Sequence, residues 1–132
     1  MKNNSISYVL VRLAVAMSMF GHGLVRLPKL EAFSNWMLGN FERSFLPNAL
    51  VLPFSYALPV AEFVVGLLLL IGLFTKQALI AGAVIMIALI FGSSCIEEWS
   101  AIPSQLIHTL IFAYLLAYLD LNAFTLDRKK TV

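Results

Sequence analysis

Glu62 stands in the apolar stretch PVAEFVVGLLLLIGLFT, residues 59–75, and two histidines, His22 and His108, stand in other apolar stretches of the same chain. An ionised carboxylate in such surroundings costs about 2.5–3.5 kcal/mol on insertion scales unless a partner or a wet cavity receives it. Imidazole and carboxylate together can hydrogen-bond the two carbonyls of a quinone ring and exchange protons with it. The same three residues are a chemically valid zinc set, and two histidines can hold a haem from opposite sides. A fourth reading needs no ligand: interhelical hydrogen bonds that glue a bundle, each worth about 1 kcal/mol. Gln105, one turn before His108, adds an amide to the group. Arg12 and Asp120 are read apart from it, as structural charge anchors that can pair with each other, Arg12 alternatively snorkelling to the headgroups.

The elements that must position these residues follow from composition. The chain of 132 residues is 61% apolar and 12% charged, which marks an integral membrane protein of one domain, residues 1–132. Four apolar runs, about 7–27, 51–74, 77–96 and 101–121, each approach the roughly 20 residues a helix needs to cross the hydrocarbon. They are too long and too unalternating for barrel strands, so the backbone must be satisfied within helices. The fold class is therefore an all-α membrane protein, a four-transmembrane-helix bundle. In the long connection after the first span, Leu30, Phe33, Met37 and Phe41 recur at helical spacing against Glu31, Ser34, Asn35 and Asn40. With Trp36 present, this reads as a short interfacial helix lying over the bundle mouth.

Pro53 is expected to open the second span and Pro59 to kink it one turn before Glu62. The third span carries no charge and is rich in small residues (Ala78, Ala81, Gly82, Ala88, Gly92), as suits a packing element or a homo-oligomer contact. The tail after Leu121 reads as a short extension. Lys2, Lys76, Arg128, Lys129 and Lys130 fall on one side, against Lys29 and Arg43 on the other with Arg26 at the boundary, so both termini are expected in the cytoplasm. The first span resembles a signal peptide but is interrupted by Arg12 and lacks a cleavage site, and is read as a retained helix.

A rise of about 1.5 Å per residue puts His22 at about 22 Å, Glu62 at about 18 Å and His108 at about 20 Å from the inner boundary. Four polar side chains from three helices thus share one level, and burial together is what makes their desolvation tolerable. Arg12 lies lower, at about 8 Å, with Asp120 near the inner boundary and the hydroxyls of Tyr114 and Tyr118 between the two levels. The net charge of +2 comes without a basic, aromatic-laced stripe, which argues against a nucleic-acid partner. One cysteine, Cys95, excludes an internal disulfide and a self-contained thiol–disulfide shuttle. No P-loop, dinucleotide fingerprint, zincin motif or nucleophile elbow is present, so no independent catalysis is signalled.

The order of Arg12, Gly21-His22-Gly23 followed by Arg26 and Lys29, Glu62, and GLLLLIGLFTK from Gly66 to Lys76 resembles the DoxX family of small bacterial four-helix membrane proteins. The likeness spans about Val11 to Met86, the last helix matching only in hydrophobicity. It implies a multi-pass protein of the bacterial cytoplasmic membrane tied to redox metabolism. Related proteins serve as the membrane subunit of a thiosulfate:quinone oxidoreductase or occur in membrane oxidoreductase complexes. Arg12, His22 and Glu62 are the positions shared with the family pattern. The expectation is a redox-system subunit that binds a quinone through His22, Glu62, His108 and Gln105, contacts the lipid bilayer, and works with an oxidoreductase partner subunit. Haem and metal are the lesser cofactor alternatives. The rival is a small transporter or membrane assembly protein with no redox role, in which Glu62 and His22 form a proton-coupled or structural pair.

Overall fold

The computed structural model describes residues 2–127. Its helices are α1 (Asn3–Arg26), α2 (Leu30–Phe41), α3 (Asn48–Ile71), α4 (Thr75–Cys95) and α5 (Ile102–Ala117), with single 3-10 turns at Leu27–Lys29, Trp99–Ala101 and Leu119–Leu121. Among the described residues, four segments are long and apolar enough to cross a membrane, the first running from α1 straight through α2. Exposed apolar residues such as Leu10, Met17, Val64, Val84, Ile87 and Leu110 are the outer surface expected of a bundle solvated by lipid.

The central contact is α1 against α3, antiparallel and close. A Cβ on Gly23 would fall on the backbone of Phe63, and a Cβ on Gly66 on the backbone of Phe20. Each helix therefore presents a Phe-x-x-Gly face to the other, and the rings of Phe20 and Phe63 meet at 5.0 Å. Small residues allow such approach where lipid removes the hydrophobic drive between helices. The core continues through Val15, Met19, Val65 and Leu69 to Leu79, Met86, Phe112 and Leu115.

Two boundaries differ from those expected. Pro47, not Pro53, precedes α3, and its carbonyl accepts from Leu50 and Val51 to open the helix. Pro53 and Pro59 both lie inside. At the other end α3 stops at Ile71, because Gly72 turns left-handed at φ 69° and the Leu73 N–H reaches back to the Leu68 carbonyl. A side chain at Gly72 would also strike Thr125.

The short helix expected between the first two spans is α2, packed on the first half of α3 through Phe33, Met37, Val51 and Leu58. Its polar face is not wholly outward. Ser34, expected among the exposed residues, is buried and meets the Ser55 hydroxyl at 2.7 Å, which also donates to the Leu52 carbonyl. Two buried hydroxyls thereby satisfy each other. Trp36 is 62% exposed, as an interfacial anchor would be.

The tail is not a plain extension. Residues 122–127 strap the end of the bundle where α1 begins and α5 ends: Leu126 N–H donates to Ile71, Asp127 N–H to Gly72, and the Thr125 hydroxyl to the Gly72 carbonyl. The Asp127 carboxylate accepts from Phe74 N–H at 2.6 Å and Thr75 N–H at 2.9 Å. A carboxylate 52 residues away thus caps the N-terminus of α4, where free N–H groups and the helix dipole favour negative charge.

Candidate functional site

At the end of the bundle opposite the strap, a cavity of about 330 Å³ opens between α1, α2, α3, α4 and α5. His22, Glu62, Gln105 and His108 all line it, so the structure brings the four candidate residues of the sequence to one hollow. Its other walls are largely apolar and aromatic, with Phe33, Trp36 and Phe41 from α2 and Phe54 from α3. Exposed Trp36, Glu98 and Ser104 mark the rim.

Glu62 is 3% exposed, and its partner is Arg26. One guanidinium nitrogen, Nη1, reaches both carboxylate oxygens at 3.1 and 3.3 Å. The packing dictates the match. Gly23 lies on Phe63, so the neighbouring Glu62 is level with the last turn of α1, and Arg26 on that turn is the cation within reach. The guanidinium also lies over the Phe33 ring, 4.6 Å from its centroid, so one side chain ties α1 to both α2 and α3. Sequence reading placed Arg26 at the membrane boundary and did not pair it with Glu62. The available signal was its position four residues after His22, on the same face of α1.

The two imidazoles share Ser18. His22 Nδ1 donates to the Ser18 carbonyl at 2.6 Å, which leaves Nε2 without a protein partner among the described residues. His108 Nδ1 donates to the Ser104 carbonyl at 2.8 Å, and its Nε2 lies 2.8 Å from the Ser18 hydroxyl. A carbonyl can only accept, so each Nδ1 carries hydrogen and each neutral ring keeps Nε2 as its acceptor. Both nitrogens of His108 are therefore engaged, which disfavours a haem slung between the histidines. Among the described residues no cluster of three or more His, Cys, Asp or Glu is arranged to hold a metal. Gln105 donates to the Ser93 hydroxyl at 3.0 Å, while its Oε1 is buried without a partner and cannot be touched from the cavity. Ser93, Met86, Leu89 and Gly92 make α4 a wall of the site as well as a packing helix.

The Arg12–Asp120 pair does not form. Arg12 is 1% exposed and donates to the Asn122 side-chain oxygen and to the carbonyls of Ala123 (2.7 Å) and Phe124 (3.0 Å). Asn122 in turn donates to the Thr75 hydroxyl at 3.3 Å. Asp120 is exposed on the 3-10 turn Leu119–Leu121. The non-helical strap offers unpaired carbonyls in the interior, and these receive the guanidinium in place of a carboxylate that water can solvate. Tyr114 and Tyr118 are likewise exposed, their rings tilted against each other with centroids 5.0 Å apart, whereas Tyr8 on α1 is the buried tyrosine and donates to the Leu115 carbonyl at 2.6 Å.

A family model described as DoxX matches residues 7–93. The chain belongs to the DoxX family. The matched DoxX segment takes in α1 to α3 and most of α4, and with them His22, Arg26 and Glu62; α5, with Gln105 and His108, lies beyond it. No curated protein and no solved structure matches the chain.

Proposed function

We propose that this DoxX-family protein is the membrane subunit of a redox system and that its cavity holds the head group of a lipid-soluble quinone. The observation that carries the reading is a hollow of about 330 Å³ with largely apolar and aromatic walls, on which two polar groups, His22 and Arg26, keep free bonding capacity. That volume is at the small end of small-molecule sites, about 300–1,000 Å³, and a few polar groups on apolar walls are their usual composition.

A quinone would supply reversible uptake of two electrons and two protons. The chain's own residues would bind and manage protons. His22 Nε2 is held toward the cavity by the bond its Nδ1 makes to Ser18, and can accept a proton there. Arg26 donates to an oxygen on the ring through the nitrogens it does not spend on Glu62, and Nη1 supplies the buried carboxyl with its partner. The Ser18 hydroxyl, between α1 and His108, reverses its role from donor to acceptor when His108 Nε2 is protonated, so that site can hold a second proton without losing its bond. No electron carrier is recognisable in the sequence, so electrons reach the site through a partner subunit. The bulk of the termini-side basic charge, Arg128, Lys129 and Lys130, lies outside the described residues. Within them, Lys2 and Lys76 sit at the strap end and Lys29 and Arg43 at the cavity end. Both termini in the cytoplasm of a bacterial inner membrane, with the cavity in the outer half, is the arrangement we favour.

Trp36 lines the cavity and Trp99 does not, so a Trp99→Phe variant in nanodiscs carries one reporter at the site. Titration with a short-tailed benzoquinone is expected to quench Trp36 saturably, with affinity reduced several-fold by His22→Ala and about tenfold by Arg26→Gln/Glu62→Gln, the worth of one charge-assisted hydrogen bond. Quenching that rises without saturation and is indifferent to both substitutions would reflect partition into lipid. The bundle would then be better read as a transporter or assembly protein.

A further inference from the structure

Resting on the quinone reading, we infer that Arg26 makes the cavity selective for the oxidised, carbonyl-bearing form of the ring over its dihydroxy form.

Arginine has five N–H donors and no acceptor. Arg26 uses Nη1 on Glu62, and among the described residues Nη2 and Nε have no partner. Stacking on Phe33 occupies the face of the guanidinium and leaves its edges clear. Three charged N–H donors therefore remain on a side chain that lines the cavity. A carbonyl oxygen, with two lone pairs and no hydrogen, is a better acceptor for them than a phenolic hydroxyl, and charge-assisted bonds are about twice as strong as neutral ones.

The acceptors that would favour hydroxyl groups are fewer and weaker. Glu62 is already taken up by Arg26, and its side chain is almost wholly buried. Gln105 Oε1 is shut off from the cavity. Glu98 stands at the exposed rim, where water solvates it, and already accepts from Ser100. His22 Nε2 is the ring nitrogen left without a protein partner among the described residues, a single acceptor on an exposed ring against three donors on Arg26. The Ser93 and Ser104 hydroxyls can donate or accept and do not discriminate.

Isothermal titration of the nanodisc-embedded protein with decylubiquinone and with its chemically reduced form, both at pH 7 under argon, tests this. The oxidised form is expected to bind about tenfold more tightly, one charge-assisted bond against a neutral one. The two-electron midpoint potential of the bound ring should then fall by about 30 mV. In Arg26→Gln/Glu62→Gln, which removes both charges together and so strands neither, the two forms should bind alike. Arg26→Lys, which keeps the charge but puts its single ammonium on Glu62, should lose most of the preference and guards against a misfolded double variant. Equal binding of both forms to the unsubstituted protein, tighter binding of the reduced form, or a preference that survives both variants would overturn the assignment to Arg26 while leaving the cavity as a quinone site. Binding of neither form would overturn the quinone reading itself.

Discussion

Two arginines on the same helix, Arg12 and Arg26, meet opposite fates. They lie about 21 Å apart along α1. Arg12 is fully enclosed, with Asn122 and two strap carbonyls gathered round it and no cavity beside it. Arg26 is about a quarter exposed, holds one carboxylate through one nitrogen, and borders a hollow. The strap end is closed by its own backbone, and the cavity end keeps donors in hand. An intramembrane charge is therefore not by itself a sign of a ligand site. What distinguishes the two is whether the surrounding protein has taken up both terminal guanidinium nitrogens: at Arg12 it has, and only the buried Nε is left without a partner, whereas at Arg26 Nη2 stays free.

The largest effect should come from striking the closed end. Arg12→Ala would leave the Asn122 oxygen and two strap carbonyls buried and unpaired, and is expected to cost about 3 kcal/mol or more in reversible SDS unfolding while sparing ligand affinity in whatever fraction stays folded. If stability is unchanged, the strap is not anchored as described. Next, Gly66→Ala would press a methyl group against the Phe20 backbone. The loss should be about 1–3 kcal/mol, felt at both ends because α1 and α3 would separate along their length. Asp127→Asn should cost about 1 kcal/mol by weakening the cap on α4, and it should loosen hydrogen-exchange protection at Thr75 before anything at the cavity. The smallest change in stability is expected for Ser18→Ala. It leaves the His22 bond intact, since that bond uses the Ser18 carbonyl, but frees His108 Nε2. Nitrogen NMR of the imidazoles should show both rings keeping the Nδ1–H tautomer that their backbone carbonyls fix, with only the His108 Nε2 resonance shifting as it loses the serine hydroxyl. Coupled changes in both rings would contradict the separation.

Much of this contrast was not legible in the sequence. The spans were, because twenty apolar residues in lipid leave the backbone no alternative to helix. The helix α2 was legible from the period of Leu30, Phe33, Met37 and Phe41, although Ser34 turned inward because Ser55 awaited it. That His22, Glu62, Gln105 and His108 share a level followed from counting rise per residue. Their partners did not follow. Arg26 was hidden by its place at the end of a span, where a basic residue ordinarily marks the membrane boundary. Arg12 was matched to Asp120 on charge alone, whereas its acceptors are carbonyls, which every residue carries and no composition reveals. The Asp127 cap on α4 was invisible for a related reason: capping residues are sought next to the helix they cap, and this one comes from the end of the described chain.

The division into a closed end and an open end proposed to hold the quinone is tested most directly by photolabelling. An azido-quinone irradiated with the protein in nanodiscs, followed by peptide mapping, is expected to mark α1 near Met19–Arg26, α2 near Phe33–Phe41 and α3 near Phe54–Glu62, with labelling suppressed by excess unlabelled quinone. Labels spread over the lipid-facing residues of α4, such as Ile80, Val84 and Ile87, and not displaced by competitor, would contradict it.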